Sequence, residues 1–129
     1  MESLSLDISK QILEAGDVAF IAGLVLMATI SWSAGQEIAA NDKITMQWNI
    51  KGKPVWQTTR RFGLLFSLII AAITGLILGF LAHGGGRSLS LELLNLAIIR
   101  VGVAVAFILA HILHLGLALR EIKSGKKID

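Results

Sequence analysis

The chain has 129 residues, a formal net charge of +3 and a mean hydropathy of +0.72, and 54% of its residues are apolar. Average usage is roughly 45–50% apolar even when Gly is counted, so a soluble domain of this size rarely has this composition and a membrane protein is indicated. The absence of Cys excludes disulfides, thiolate metal sites, iron–sulfur clusters and Cys nucleophiles.

Residues 1–17 form a polar start that we predict to be a tail or a short interfacial helix. Leu4, Ile8 and Ile12 share one helix face and the charged residues lie elsewhere, a pattern typical of a helix lying on a membrane. The segment is acidic, whereas a secretory signal peptide begins with basic residues. We therefore expect the first span to remain in the mature protein.

Three apolar segments are predicted to cross a bilayer. The middle one, Phe62–Ala82, has no charged residue. At about 1.5 Å per residue it is roughly 31 Å long, which matches the hydrocarbon core of a bilayer. A soluble bundle of three such helices would have almost no polar outer face. We predict an all-α membrane protein with spans at 18–40, 62–82 and 91–120, a polar loop at 41–61, a short loop at 83–90 and a basic tail at 121–129.

The polar loop between the first two spans is predicted to contain a small hairpin. Two short extended pieces, Ile44–Trp48 and Lys53–Gln57, flank a turn in which Gly52 is available for a positive φ. We expect this hairpin-like loop at the membrane surface. Trp48 and Trp56 would then lie at the level of the lipid headgroups, where amphipathic rings are favoured.

The distribution of Lys and Arg predicts the orientation. The polar loop carries five of these residues and the end of the chain from Arg120 onward carries four, whereas the N-terminal segment and the short loop carry one each. The positive-inside rule therefore places the polar loop and the C-terminus in the cytoplasm and the N-terminus outside.

Four residues of the polar loop carry a resemblance to a known family. Ile44, Trp48, Asn49 and Gly52 match a motif that reads roughly Ile-Pro-x-His-Trp/Phe-Asn-x-x-Gly just after a first transmembrane helix. In sequence and placement, the loop resembles a bacterial membrane domain of unassigned function. This domain occurs in the immunity-protein family for the sporulation-delaying toxin of spore formers.

The resemblance implies a small bacterial membrane protein with a protective or regulatory role. Immunity proteins of that family have more spans, and their loop is usually drawn outside the cytoplasm, whereas the charges here place it inside. Thr45 and Gln47 stand where the family often has Pro and His. Any chemical role of that His is therefore missing from this chain.

Arg100 has the highest expected free-energy cost of membrane insertion in the third predicted span. An Arg at a helix centre costs about 2.5–3.5 kcal/mol on insertion scales. Asp17, at the outer end of the first span, is its expected partner, and the long side chain can also snorkel outward. The structural interpretation is an ion pair or a snorkelled Arg, and the functional one is an anion or lipid-headgroup site.

His111 and His114 lie three residues apart on one face of the third span. This polar stripe indicates contact with protein rather than lipid and contains Arg100, Ala104, Phe107, His111, His114 and Ala118. Glu37, at the inner end of the first span, is expected within reach of the His pair. Interhelical hydrogen bonds, metal or haem ligation and a proton relay are the possible roles.

Small residues suggest two packing surfaces. Gly75 and Gly79 form a small-x-x-x-small motif in the second span, and Gly102, Ala106 and Ala110 form a stripe roughly opposite the polar one. Either pattern allows helices to approach closely, within the chain or between subunits.

We predict a non-enzymatic integral membrane protein without a resident cofactor, located in the bacterial inner membrane. It would act through protein or lipid contacts, as an accessory subunit or an immunity-like regulatory protein. Its expected partners are the bilayer and other membrane subunits or copies of itself, and not nucleic acid, because topology and anionic lipid account for the basic residues. The alternatives are a haem- or metal-binding subunit using His111 and His114, and a small transporter or proton path.

Overall fold

The computed structural model of the protein describes residues 2–84 and 91–125. It contains three helices and one two-stranded sheet, in the order α1 (Glu2–Glu37), β1 (Lys43–Trp48), β2 (Pro54–Thr59), α2 (Arg60–His83) and α3 (Leu91–Lys123). Most of the predicted short loop, residues 85–90, and the end of the basic tail, residues 126–129, lie outside the described residues.

All three helices are long and apolar enough to cross a membrane. The 24 residues of α2 extend for about 36 Å, which exceeds the roughly 30 Å of a bilayer core. Large apolar side chains cover the outer surface of the bundle, among them Ile73, Leu76 and Phe80 of α2. An apolar exterior of this kind is compatible with lipid as the surrounding solvent.

Helix α1 differs from the predicted division into a segment at 1–17 and a span at 18–40. It is one continuous helix from Glu2 to Glu37, since this stretch contains no Pro and its central Gly16 is held against another helix. The helix ends earlier than predicted because a turn follows, in which Asp42 N donates to Ala39 O (3.0 Å) and Ala39 N donates to Asp42 Oδ2 (3.1 Å).

The hairpin predicted in the polar loop is present as an antiparallel two-stranded sheet, so the described fold is not entirely helical. Asn49 organises the turn, because its Oδ1 accepts from the backbone N of Lys51 (3.0 Å) and of Lys53 (2.9 Å). Gly52 has a φ of 78°, which is the left-handed conformation expected for it. The register shifts around Gln47, so the second half of β1 is irregular.

The hydrophobic core lies where the hairpin meets the helices. It contains Ala34, Ile38, Ile44, Leu64, Leu115 and Ala118. Ile44 of β1 is completely buried, and its side chain occupies the space beside Gly63 of α2, where an added Cβ would lie 2.7 Å from Ile44 Cβ. The hairpin is therefore packed into the bundle. We call this the hairpin end, where α1 ends, α2 begins and α3 ends.

Candidate functional site: polar contacts along α3

Arg100 forms an ion pair with Asp17 at the end of the bundle opposite the hairpin. The Arg100 Nη2 to Asp17 Oδ1 distance is 2.7 Å, and Arg100 is only 5% exposed. His83 Nε2, at the end of α2, lies 2.9 Å from Asp17 Oδ2. All three helices therefore contribute to this group, which we call the Arg100 cluster (Arg100, Asp17 and His83).

Two glycines make room for the guanidinium. A Cβ at Gly16 would overlap Arg100 Nη1, and a Cβ at Gly79 would lie 3.4 Å from Arg100 Nη2. The predicted Arg100–Asp17 pair is confirmed as a contact. His83 was not predicted as a third member, although its position at the end of the second span, level with Asp17, was a usable signal.

His111 lies in the interior of the bundle and is fully buried. Its Nε2 is 2.8 Å from Ser31 Oγ, and Ser31 Oγ also donates to Leu64 O at 2.7 Å. Because the Ser31 hydroxyl has one hydrogen and Leu64 O can only accept, His111 Nε2–H must donate to Ser31. This chain of two hydrogen bonds connects α3 to α1 and α1 to α2.

His114 and Glu121 bind the hairpin to α3. His114 Nε2 donates to Thr45 O at 2.8 Å. Glu121 is 9% exposed, and its two oxygens accept from Thr45 Oγ1 (3.0 Å) and from Trp48 Nε1 (2.8 Å). The Trp48 ring also meets the His114 ring edge-on, with centroids 5.8 Å apart. Trp48 is thus held inward against α3, whereas Trp56 is exposed.

Glu121 was missed by the sequence analysis. It lies seven residues after His114, which places it on the same helix face, so extending the polar stripe by two turns would have included it. With Glu121 added, the stripe faces the chain's own helices and hairpin along its whole length.

The four residues of the loop motif have structural positions in the hairpin. Ile44 fills the core and Trp48 bonds to α3, whereas Asn49 and Gly52 shape the turn. Together they fold the hairpin and hold it against the bundle.

Glu37 does not contact the His pair, contrary to expectation. Its Oε1 lies 3.4 Å from Lys123 Nζ, because α1 ends beside the last turn of α3. Among residues 2–84 and 91–125, no group of three or more His, Asp or Glu side chains could hold a metal ion. The Nε2 atoms of His111 and His114 are already used in hydrogen bonds within the chain.

One small-residue pattern faces the interior of the bundle and the other faces its exterior. Gly75 and Gly79 face the interior, and a Cβ at Gly75 would overlap the ring of Phe20 on α1. Gly102, by contrast, has nothing within 4 Å of an added Cβ, and its stripe faces away from the other helices, with Ala106 and Ala110 also exposed. The first pattern therefore packs α2 within the chain, and the second does not.

A small cavity lies between the three helices, and Arg100 is one of the residues that line it. Its volume is about 20 Å³, which is enough for roughly one water molecule. Phe20, Met27 and Phe107 are among the apolar residues that line it. The cavity is too small to hold a solute larger than water.

Comparison with models of protein families, with characterised proteins and with solved structures finds no match to this chain. The contacts described above are therefore the basis for proposing its function.

Proposed function

We propose that this chain is a multi-pass protein of the bacterial cytoplasmic membrane that acts without catalysis, through contacts with other membrane proteins, with copies of itself or with lipid. Its role is that of an accessory subunit or a protective, regulatory protein. The resemblance of its first loop to the immunity-protein domain supports the second form of this role.

The observation that carries the proposal is the use of polar side chains within the bundle. Arg100 pairs with Asp17, His111 with Ser31, His114 with Thr45, and Glu121 with Thr45 and Trp48. Groups that are hydrogen-bonded to one another in this way hold helices together, since buried polar groups need partners. The surface that remains for function includes the apolar exterior, with the open stripe of Gly102, Ala106 and Ala110 on α3.

The charge distribution supports an orientation with the hairpin in the cytoplasm. Lys and Arg concentrate in the hairpin, at the start of α2 and at the end of α3, and these three regions lie at the same end of the bundle. The opposite end holds the acidic start of α1. This asymmetry follows the positive-inside rule.

Co-purification tests the proposal. The tagged protein is extracted from its native membrane in a mild detergent and analysed by mass spectrometry and absorption spectroscopy, beside a Gly102→Leu variant. We expect a defined, colourless assembly with a membrane protein or a second copy, weakened in the variant because a larger side chain blocks close helix approach. A solitary protein with a haem Soret band, or one that turns over a substrate, would contradict the proposal.

A further inference from the structure

A groove runs between α1 and α2 near the hairpin end and opens to the outside of the bundle. Its volume is about 350 Å³. Helix α1 contributes Trp32 and Gly35 to its walls, and helix α2 contributes Arg60, Arg61, Leu65 and Leu68. We call it the α1–α2 groove.

The end of the groove nearest the hairpin is cationic. Arg60 and Arg61 are the first two residues of α2, and the first turn of this helix contains no acidic residue. A helix N-terminus adds a partial positive charge of its own. Within the described part of the chain, neither Arg forms an ion pair with a carboxylate. Two cationic side chains at the start of α2 therefore line this end of the groove, and among the described residues neither is paired with a carboxylate.

The geometry at Arg60 is fixed by the protein. Arg60 Nη2 donates to Gly35 O at 2.6 Å, and its buried Nε has no hydrogen-bond partner. Gly35 permits this approach, since an added Cβ would lie 3.3 Å from Arg60 Nη2 and 3.2 Å from Leu64 Cδ1. The guanidinium is thus held in place at the edge of the groove.

The other end of the groove is apolar. Leu64, Leu65 and Leu68 continue along α2 away from the Arg pair, towards the middle of the helix. Trp32 stands on the rim and is 74% exposed, as expected for an indole at a membrane interface. The change from two Arg residues to leucines along one groove matches the change from phosphate to acyl chain along one phospholipid.

We propose that the α1–α2 groove binds an anionic phospholipid. The phosphate lies against Arg60, Arg61 and the N-terminus of α2, and an acyl chain lies along the leucines. Basic pockets between membrane helices on the cytoplasmic side commonly accept such headgroups. The proposal rests on the membrane location proposed above, and it adds a defined ligand and a defined place.

Lipid retention measures this binding directly. The purified protein is exchanged into detergent micelles that contain equal amounts of phosphatidylglycerol and phosphatidylcholine, and the lipid bound to it is counted by native mass spectrometry. We expect preferential retention of phosphatidylglycerol. Arg61→Gln should lower the affinity for it by roughly fivefold, the effect of one basic contact with an anionic lipid.

The control variant is Lys51→Gln, which removes the same charge from the exposed turn of the hairpin without touching the groove. It should retain phosphatidylglycerol like the unchanged protein. Equal retention of both lipids, or equal retention of phosphatidylglycerol by Arg61→Gln and the unchanged protein, would overturn the proposal. Full displacement by excess inorganic phosphate would also overturn it, since the site would then recognise phosphate alone.

Carbonate extraction of native membranes tests the membrane location independently of the lipid site. If the protein stays in the membrane but retains both lipids equally, only the lipid-site proposal is contradicted. If carbonate releases the protein, both the membrane location and the lipid site are contradicted.

Discussion

At the scale of single residues, the bundle is joined by a few charged and polar side chains. A charge in an apolar interior is costly unless it is paired, and removal of one partner leaves the other uncompensated. Arg100 is buried and Asp17 is partly exposed, so Asp17 is what makes the position of Arg100 tolerable. This asymmetry leads to a prediction for each partner.

Asp17→Asn is expected to lower the free energy of unfolding by about 1–3 kcal/mol, because the buried Arg100 keeps its charge and loses its counter-ion. Adding Arg100→Met should restore part of the loss, since the unpaired charge is then gone. Unfolding in mixed micelles measures both changes. Glu14→Gln, which removes an exposed acid one turn earlier, should have little effect. A double variant no more stable than Asp17→Asn would contradict this explanation.

Glu121 is predicted to hold the hairpin through Trp48. Glu121→Gln leaves one acceptor oxygen for two donors, the Thr45 hydroxyl and the Trp48 indole N–H, so one of the two hydrogen bonds is lost. We expect a loss of about 1–3 kcal/mol in unfolding free energy.

A double-mutant cycle with Trp48→Phe isolates this contact. In the Trp48→Phe background, which lacks the indole N–H, Glu121→Gln should lower the unfolding free energy clearly less. In the background of Trp56→Phe, a change of the exposed ring, Glu121→Gln should cost as much as in the unchanged protein. Strictly additive effects of Glu121→Gln and Trp48→Phe would show that the hydrogen bond carries no stability.

At the scale of helices and strands, the two glycine patterns separate internal packing from the outer surface. Gly75 lies against Phe20 of α1, and Gly102 lies against nothing in the chain. The same substitution at the two positions therefore tests two different contacts.

Gly75→Leu is expected to destabilise the bundle by about 1–3 kcal/mol, because the new side chain overlaps the ring of Phe20 and α1 and α2 must separate. Gly102→Leu should leave the unfolding free energy of the isolated chain within about 0.5 kcal/mol, as at other open positions. Thermal unfolding of both variants in the same detergent provides the comparison. Equal destabilisation by the two substitutions would mean that the Gly102 face of α3 packs against the other helices of the chain and does not lie on the exterior.

The helices and the turn could be predicted because their signals are local. An uncharged run from Phe62 to Ala82 indicates a span by its length alone, and Asn49 and Gly52 favour a turn through their own backbone preferences. The continuity of α1 past Asp17 was not predictable in this way. The structure places Gly16 inside the helix and beside Arg100 of α3, a contact between residues far apart in sequence.

The candidate site was only partly predictable for the same reason. The Arg100–Asp17 pair follows from the depth of two charges in neighbouring spans. The role of Glu121 and the inward position of Trp48 depend on how β1 docks onto the bundle, where Ile44 packs against Gly63 of α2. No local pattern in the sequence shows this contact. Glu37 was assigned to the His pair because its distance from Lys123 could not be read from the sequence.

At the scale of the whole molecule, the proposed function requires a definite arrangement in the membrane. The bundle has two distinct ends, one with the Arg100 cluster and the acidic start of α1, the other with the basic hairpin and the end of α3. The three membrane crossings proposed above would place these ends on opposite sides of the membrane. The absence of Cys makes this arrangement accessible to single-cysteine labelling without background from native thiols.

The most direct measurement is therefore maleimide labelling of two single-Cys variants, Ser3→Cys at the start of α1 and Lys51→Cys in the hairpin turn. Both positions are exposed. In intact cells without an outer-membrane barrier, a membrane-impermeant maleimide should label Ser3→Cys at once, and should label Lys51→Cys only after the cytoplasmic membrane is permeabilised. Labelling of Lys51→Cys in intact cells, or equal labelling of the two variants before permeabilisation, would contradict a membrane protein with its hairpin in the cytoplasm.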